Sequence, residues 1–437
     1  MYAQPLFYMK YTDAIEYINE ISMNKGSVYG LDSIRELCRR MGNPQDDLKY
    51  VHIAGTNGKG STLAFISHTL MLAGLKVGRY ISPTIRDYRE RFQVNEHMMS
   101  IKALGEYMES VKAVCDDMVE DGYPQPTAFE IETAIAFLFF KDKGTDIVVL
   151  ETGMGGKEDA TNIVKTTIMC VFASISMDHM QFLGDTLGKI AENKCGIIKP
   201  GVPVVTGFQK EEVMAVIEDR CHFNKSSLRC IFKRDISKES YKGGKQSFVF
   251  ENVRYETGLK GSWQNENAAL AILALKTLRE TYGYTKLSDA TILKGIETTA
   301  WPARFETISR KPLFIIDGAH NADAALRLRE TIDLYYSDKR KIFIVGMFRD
   351  KEVDKVIETV AYDGSMIFTT ATPGSSRAMS PVELAEVVKP VNPNVTSCDS
   401  VEEAVEFATS FADKDSVIIA FGSLAYLGKI IDIFAVK

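Results

Sequence analysis

From Lys49 to Ser82 the chain reads as an apolar run, "KYVHIAG", a glycine-rich loop, a helical stretch from about Ser61 to Ala73, and a second apolar run, "KVGRYIS". A helical crossover between two strands is the signature of a βαβ unit with parallel strands. Its loop then falls at the carboxyl end of the first strand, where open α/β sheets bind ligands. The loop itself, "GTNGKGST", departs from the usual phosphate-loop spacing, which needs four residues between its glycines and a hydroxyl residue directly after the lysine. Here only Thr56 and Asn57 separate Gly55 from Gly58, and Gly60 stands between Lys59 and Ser61. The chemistry is nevertheless that of an anion cradle. Successive backbone N–H groups of a glycine turn, opening onto a helix N-terminus, face an anion together. Lys59 adds a point charge for outer phosphates, and Ser61 or Thr62 puts a hydroxyl in the first helical turn. A plain tight turn is the competing reading; the strand before and the helix after favour phosphate.

The alternation continues along the chain. Two helices around 11–22 and 31–41, joined by "NKGSVYG", precede the βαβ unit. "PTAFEIETAIAFLFFKDKG" is helical in character, and "DIVVLETG" and "TIMCVFASIS" are short β-branched runs suited to buried parallel strands. A stretch from about 229 to 258 alternates like a small antiparallel hairpin. After "ETTAWPARFE" a second βα series holds "PLFIIDGAHN", "RKIFIVGMF", "SMIFTTATP" and "SVIIAFGS". The expected architecture is α/β in two domains with a cleft between them. An N-terminal P-loop-type ATPase domain with a mostly parallel sheet spans 1–298, and a smaller Rossmann-like domain spans 299–437. The composition, 45 % hydrophobic and 25 % charged with a net charge of −6, argues against a broad nucleic-acid surface. No apolar run reaches the ~18 residues of a membrane span, and the first residues do not read as a signal peptide. Seven cysteines, scattered singly with no CxxC pair, read as reduced thiols of a cytoplasmic protein.

Further motifs end strands. In "VVLETGMGGKEDATNIV" Glu151 closes an apolar run, so its carboxylate emerges at the same edge as the loop. A desolvated carboxylate needs a cation, and Mg²⁺ takes one or two carboxylates with phosphates and water. In "SISMDHMQFLGDTLGKIAENKCGIIKPG" Asp178 and His179 follow a strand, although imidazole is a less usual Mg²⁺ ligand. Lys194 lies on a helix, where a lysine is most often solvated. Arg304 of "WPARFE" could fork onto phosphate oxygens. Asp317 and His320 of "DGAHN" sit just beyond "LFII", and the same segment reads as a turn opening a helix at Asn321.

Taken together, "HIAGTNGKGST", "ISP", "FEIETAIAF", "ETGMGGKEDATNIV", "DHMQFLGDTLGKIAENKCGIIKPG", "QNENAA", "WPARFE", "DGAHN" and "GMFRDK" resemble the Mur ligase superfamily, in its folylpolyglutamate synthase and dihydrofolate synthase branch. The resemblance implies that Asn57, Gly58, Lys59, Gly60, Ser61 and Thr62 hold the ATP phosphates, with Asn267, Arg304 and Asp317 also contacting ATP. It implies Ser82, Glu151 and His179 as Mg²⁺ ligands. Lys194 matches a lysine carried as a carbamate, whose anion helps hold a second Mg²⁺, and His320 would sit near the transferred phosphate. Thr127, Phe129, Glu130, Glu158, Asp159 and Ala160 fall where the pteroate substrate binds. Three departures stand out: Thr84 and Trp263 replace histidines common in the family, and Lys157–Glu158 replaces its usual Arg-Leu.

The reaction so implied is ATP-dependent amide formation. A substrate carboxylate takes the γ-phosphate as an acyl phosphate, and the amine of L-glutamate displaces phosphate. Dihydropteroate, a reduced folate or both would be acceptors, and the branch is commonly monomeric. Positioning and charge neutralisation by Mg²⁺, Lys59 and Arg304 would carry catalysis, with hinge closure near 299–303. Alternatives are a Mur-type ligase with a different carboxylate acceptor and a regulatory P-loop ATPase. A ligase of UDP-linked cell-wall precursors would place a domain before the loop, where 54 residues precede Gly55. A GTPase switch would want Asn-Lys-x-Asp, and "NKCG" lacks the Asp.

Overall fold

The computed structural model describes residues 9–25, 30–241 and 245–435; most of the turn "NKGSVYG" lies outside the described residues. These form two compact units, neither continuous in sequence. The first comprises the chain to Pro83, Arg89–Asp235 and Asn267–Ile296; the second comprises Thr84–Tyr88, Ile236–Glu266 and the chain from Glu297 onward.

The first unit is built on eight strands: β1 (Tyr50–Ala54), β2 (Val77–Tyr80), β3 (Phe92–Val94), β4 (His97–Met98), β5 (Ile147–Glu151), β6 (Thr167–Phe172), β7 (Val204–Thr206) and β8 (Leu228–Cys230). Their spatial order is β4-β3-β2-β5-β1-β6-β7-β8. From β2 to β8 the pairs are parallel; β3 and β4 add an antiparallel edge. Every residue of β1, β2 and β5 is buried, as befits strands covered on both faces, and the polar residues among them, His52, Arg79 and Glu151, are buried with the rest. The helix Lys59–Leu72 follows β1 and is itself buried on most of its surface. The helix Ala128–Asp142 starts in a capping box, with Thr127 and Glu130 satisfying each other's backbone N–H groups.

In the second unit β9 (Ile236–Ser240), β10 (Gln246–Phe250) and β11 (Val253–Thr257) form an antiparallel sheet. Glu251 and Asn252, both left-handed at φ 47° and 63°, make the two-residue turn between β10 and β11. The hairpin expected over 229–258 is therefore shorter and three-stranded, because Leu228–Cys230 instead pairs parallel with β7 in the first unit. The larger sheet contains β12 (Glu306–Arg310), β13 (Leu313–Ile316), β14 (Arg340–Val345), β15 (Met366–Thr369), β16 (Val395–Ser397) and β17 (Ser416–Phe421). Their order is β12-β13-β17-β14-β15-β16, all parallel except β12.

Period-two alternation divides the larger sheet's strand residues between two cores. Ile315, Phe343, Val345, Ile367 and Ile419 meet the helices Ala322–Tyr336, Val353–Val360 and Pro381–Val388. Phe314, Ile316, Ile344, Phe368 and Ile418 meet Val401–Phe411 and Leu424–Ala435. Helices on both faces of a mostly parallel sheet make this a doubly wound, Rossmann-like layer structure. All seven cysteines are free thiols and all but Cys230 are buried. Among the described residues no helix is long and apolar enough to cross a membrane.

Candidate active site

In the first unit β2, β5, β1 and β6 lie side by side, with Tyr80 level with Leu150, Ile53 with Glu151 and Ala54 with Phe172. Their carboxyl ends share one edge, and Ser82, Glu151, the glycine loop and Asp178–His179 leave from it. The loop is anchored to the segment after β6. The N–H groups of Thr56 and Asn57 donate to the Ser174 carbonyl (2.7 and 3.2 Å), and Thr56 Oγ1 donates to Ser176 O (3.0 Å). Gly58 takes φ 86° as the residue capping the helix, and an added Cβ would lie 2.4 Å from Asn267 Oδ1. Only glycine meets both demands, and Asn267 is thereby placed against the loop. The first ladder bond of the helix runs from Thr62 N–H to Gly58 O (2.9 Å), leaving the N–H groups of the preceding turn for an anion.

Two lysines flank this loop. Lys59 Nζ lies 3.4 Å from Thr56 O and 3.8 Å from Glu151 Oε1. Lys194, 4 % exposed on the helix Leu187–Cys195, donates from Nζ to the Gly55 carbonyl (2.9 Å). Burial, reinforced by repulsion from the Lys59 ammonium, pushes the Lys194 amine down to about 7. This lysine is therefore not the solvated one that a helix position suggests. His179, left-handed at φ 50°, is exposed and carries Nε2 3.7 Å from Asp178 Oδ2.

The hydroxyls of Thr62, Thr152 and Ser176 are buried atoms with no hydrogen-bond partner in the protein. Ser33, Thr166, Thr167, Thr370 and Thr372 have unpartnered buried hydroxyls as well, so what distinguishes Thr62, Thr152 and Ser176 is their place beside the glycine loop, where their hydroxyls could meet phosphate oxygens or a hydrated cation. Among the described residues no group of three or more His, Cys, Asp or Glu side chains could hold a metal. Thr152 and Ser176 escaped sequence reasoning; their one signal was position, directly after β5 and shortly after β6.

The loop after Glu151 is organised by Asp159. Its carboxylate, buried and pushed upward by desolvation, accepts from Met154 N (2.8 Å), Thr161 N (3.1 Å) and Thr161 Oγ1. Because the Thr161 hydroxyl spends its proton there, it accepts from His52 Nε2 (2.9 Å), which leaves His52 Nδ1 bare. Asn193 Oδ1 accepts from Gly156 N (3.0 Å) and ties the loop to the Lys194 helix. Phe129 presents its ring to Gly153, where an added Cβ would meet ring carbon at 2.5 Å. Glu130 serves two helices, accepting from Thr127 N (2.8 Å) and from Ile34 N (3.1 Å) near the start of Asp32–Arg40. Ala160 is buried, whereas Lys157 and Glu158 are exposed.

In the second unit Asp317 bridges two segments, accepting from Phe305 N and Ala319 N (both 2.9 Å). Burial raises its carboxyl and the nearby Arg304 opposes the shift. Arg304 Nη1 donates to Ala303 O (3.0 Å), and His320 Nδ1 lies 2.8 Å from Gly318 O. Asn321 caps the helix Ala322–Tyr336 as the turn reading required, accepting from Ala324 N (2.8 Å). Trp263 lies against the Arg327 guanidinium and donates from Nε1 to Glu330 (3.3 Å).

With this geometry in view, residues 53–275 match the Mur ligase middle domain and residues 303–424 match the Mur ligase glutamate ligase domain. A dihydrofolate synthase/folylpolyglutamate synthase of Bacillus subtilis is 33 % identical over 431 residues, covering 96 % of this chain and 98 % of the relative. The chain belongs to the folylpolyglutamate synthase and dihydrofolate synthase branch of the Mur ligases. The folylpolyglutamate synthase of Lacticaseibacillus casei is 33 % identical, covering 85 % of this chain and 87 % of the relative. Among solved structures, Mycobacterium tuberculosis folylpolyglutamate synthase complexed with ADP and AMPPCP superposes with a TM-score of 0.86 at 25 % identity, covering 97 % of this chain and 99 % of that one. E. coli FolC in complex with DHPP and ADP gives 0.83 at 26 %, covering 97 % and 98 %. Like the other Mur ligases of this branch, the chain is an ATP-dependent amide-forming ligase.

Proposed function

We propose that this ligase joins L-glutamate to the carboxylate of a pteroate or folate through an acyl phosphate, and that both dihydropteroate and reduced folates are acceptors. The observation that carries the chemistry is the grouping of Lys59, Glu151 and Lys194 around the Gly55–Thr62 loop. A carboxylate is a poor electrophile at neutral pH. Its oxygen attacks the γ-phosphorus and ADP departs; the glutamate nitrogen then adds to the acyl carbon, inorganic phosphate leaves and the nitrogen loses its proton.

In this reading Asn57 to Thr62 orient the phosphates, and the Lys59 ammonium turns from Glu151 toward the outer oxygens. Ser82, Glu151 and His179 would hold Mg²⁺, which supplies charge neutralisation at the phosphates; a second Mg²⁺ would involve Lys194 as a carbamate. An amine titrating near 7 supports that assignment, since carbamate formation needs the neutral base. Asn267, Arg304 and Asp317 are assigned to ATP, and His320 to the neighbourhood of the transferred phosphate. Thr127, Phe129, Glu130, Glu158, Asp159 and Ala160 are assigned to the acceptor. For Glu130 and Asp159 the hydrogen bonds described above favour shaping that site over presenting a free carboxylate to it. The chain is proposed to divide into an ATP-binding domain, 1–298, and a glutamate-ligase domain, 299–437. It is proposed to act as a cytoplasmic monomer without nucleic-acid or membrane partners; a net charge of −6 and free thiols support this.

The test is glutamate-dependent ADP formation with Mg²⁺, run in parallel on dihydropteroate and on tetrahydrofolate monoglutamate. Turnover of both is expected. Turnover of neither, with ATP still bound, refutes the folate assignment and points to Thr84 and Trp263 as marks of a changed acceptor. ATP hydrolysis independent of glutamate would favour a regulatory ATPase instead.

A further inference from the structure

Arg304 stands between two residues that sit in the left-handed region without being glycine, Ala303 at φ 53° and Phe305 at φ 45°. L side chains rarely adopt this conformation, and two flanking one arginine persist only where the surroundings over-determine them. Those surroundings are visible. Ala303 N donates to Glu306 Oε2 (2.8 Å), and Ala303 O accepts from Gly318 N (3.0 Å). Phe305 N donates to Asp317 Oδ2 (2.9 Å), and its ring, 3 % exposed, stacks on Tyr336 (centroids 6.0 Å) and tilts against Tyr335 (5.8 Å). Tyr335 is fixed in turn by its hydroxyl, which donates to Gln246 Oε1 (2.9 Å). The product of this clamp is the placement of one side chain. Arg304 Nη1 bonds Ala303 O, and an added Cβ on Gly318 would lie 2.5 Å from it, so the guanidinium rests on the backbone of the Asp317–His320 turn.

We infer that Phe305 is a positioning residue: the ring held by Tyr335 and Tyr336 keeps the backbone of Ala303–Phe305 left-handed and so aims the Arg304 guanidinium at the phosphate. This rests on the reading of Arg304 as a phosphate contact. A residue that works through another should lose its effect when that other residue is gone, whereas one that merely stabilises the unit should not.

The experiment is a double-mutant cycle on the full chain, with kcat and KM for ATP measured for Phe305→Leu, Arg304→Ala and the pair, and folding checked by thermal unfolding. Arg304→Ala is expected to lower kcat/KM about 100-fold, the order of a lost phosphate or oxyanion contact. Phe305→Leu, which keeps an apolar anchor but not the stacked clamp, is expected to lower kcat/KM about 10-fold. In the Arg304→Ala background it should cost less than about 2-fold. Tyr336→Leu loosens the same clamp from its other side and should behave alike, so the inference stays testable if one variant folds poorly. Equal losses from Phe305→Leu and Tyr336→Leu with and without Arg304 overturn the positioning role while leaving the phosphate role intact. A harmless Arg304→Ala would instead remove the phosphate reading and the inference built on it.

Discussion

Replacing Lys194 by methionine should stabilise the protein while destroying its activity. In the folded chain the amine is buried and falls from 10.5 to about 7, with desolvation as the main cause and the Lys59 charge as the second. At 1.36 kcal/mol per pH unit, burying this ammonium is about 5 kcal/mol less favourable than burying the neutral amine. The folded value lies below the unfolded one, so the unfolded chain binds more protons between pH 7 and 10.5, and stability rises with pH across that window. Nearly the whole penalty is present at pH 7. Lys194→Met removes it but leaves the Gly55 carbonyl without its donor, which costs about 1–3 kcal/mol. The variant should thus be about 1–3 kcal/mol more stable than wild type at pH 7, and that advantage should shrink with rising pH and reverse between about pH 8 and 10. The assay is urea unfolding from pH 6.5 to 10 in CO₂-free buffer. Taking the difference between the two chains cancels the tyrosines and cysteines that titrate in the same range. A difference that does not change with pH would show that Lys194 is not a desolvated ammonium and would sink the reasoning. Bicarbonate should then stabilise wild type alone, and turnover by the variant should be lost and not restored by bicarbonate.

Three further outcomes follow from the same geometry. Gly58→Ala forces a left-handed alanine and drives Cβ into Asn267, so it should cost about 1–2 kcal/mol and weaken ATP binding; calorimetric ATP affinity matching wild type, with an unchanged melting point, would contradict this. His52, buried and held neutral with its imidazole pushed down to about 3, contributes stability that is present above pH 6.5 and lost as pH falls toward 3. His52→Gln should flatten the acid limb of a stability–pH curve, and an unchanged limb would mean other groups carry it. Glu130→Ala releases the N-terminal N–H groups of two helices, and denaturant unfolding should register a loss of about 1–3 kcal/mol; a loss near zero would mean water replaces both bonds.

Glycine, lysine and hydroxyl residues directly after an apolar run announced the turn between β1 and the helix Lys59–Leu72, because strand, loop and helix are adjacent in sequence and their chemistry is local. The runs that became β1, β2, β5, β6, β13, β14, β15 and β17 were legible for a related reason. Strands buried on both faces are mostly apolar, and that leaves a strong signal even where a buried polar residue such as His52 or Arg79 interrupts it. Short partners such as β3, β4, β7, β12 and β16 have two to five residues and no clear alternation, so only pairing defines them. The same holds for β8, which sequence alternation joined to the wrong sheet.

By itself, then, the sequence determined the α/β class, the glycine loop between strand and helix, the family resemblance and the reaction it implies, since each motif lives in residues close together along the chain. Only the tertiary structure decided what those residues touch. Lys194 reaches Gly55 across 139 positions, Glu130 reaches Ile34 across 96, and His52 reaches Thr161 across 109. Each of these bonds sets a charge or a proton in place, and burial, a property of the packed chain, then moves the lysine toward a neutral amine and holds the histidine neutral.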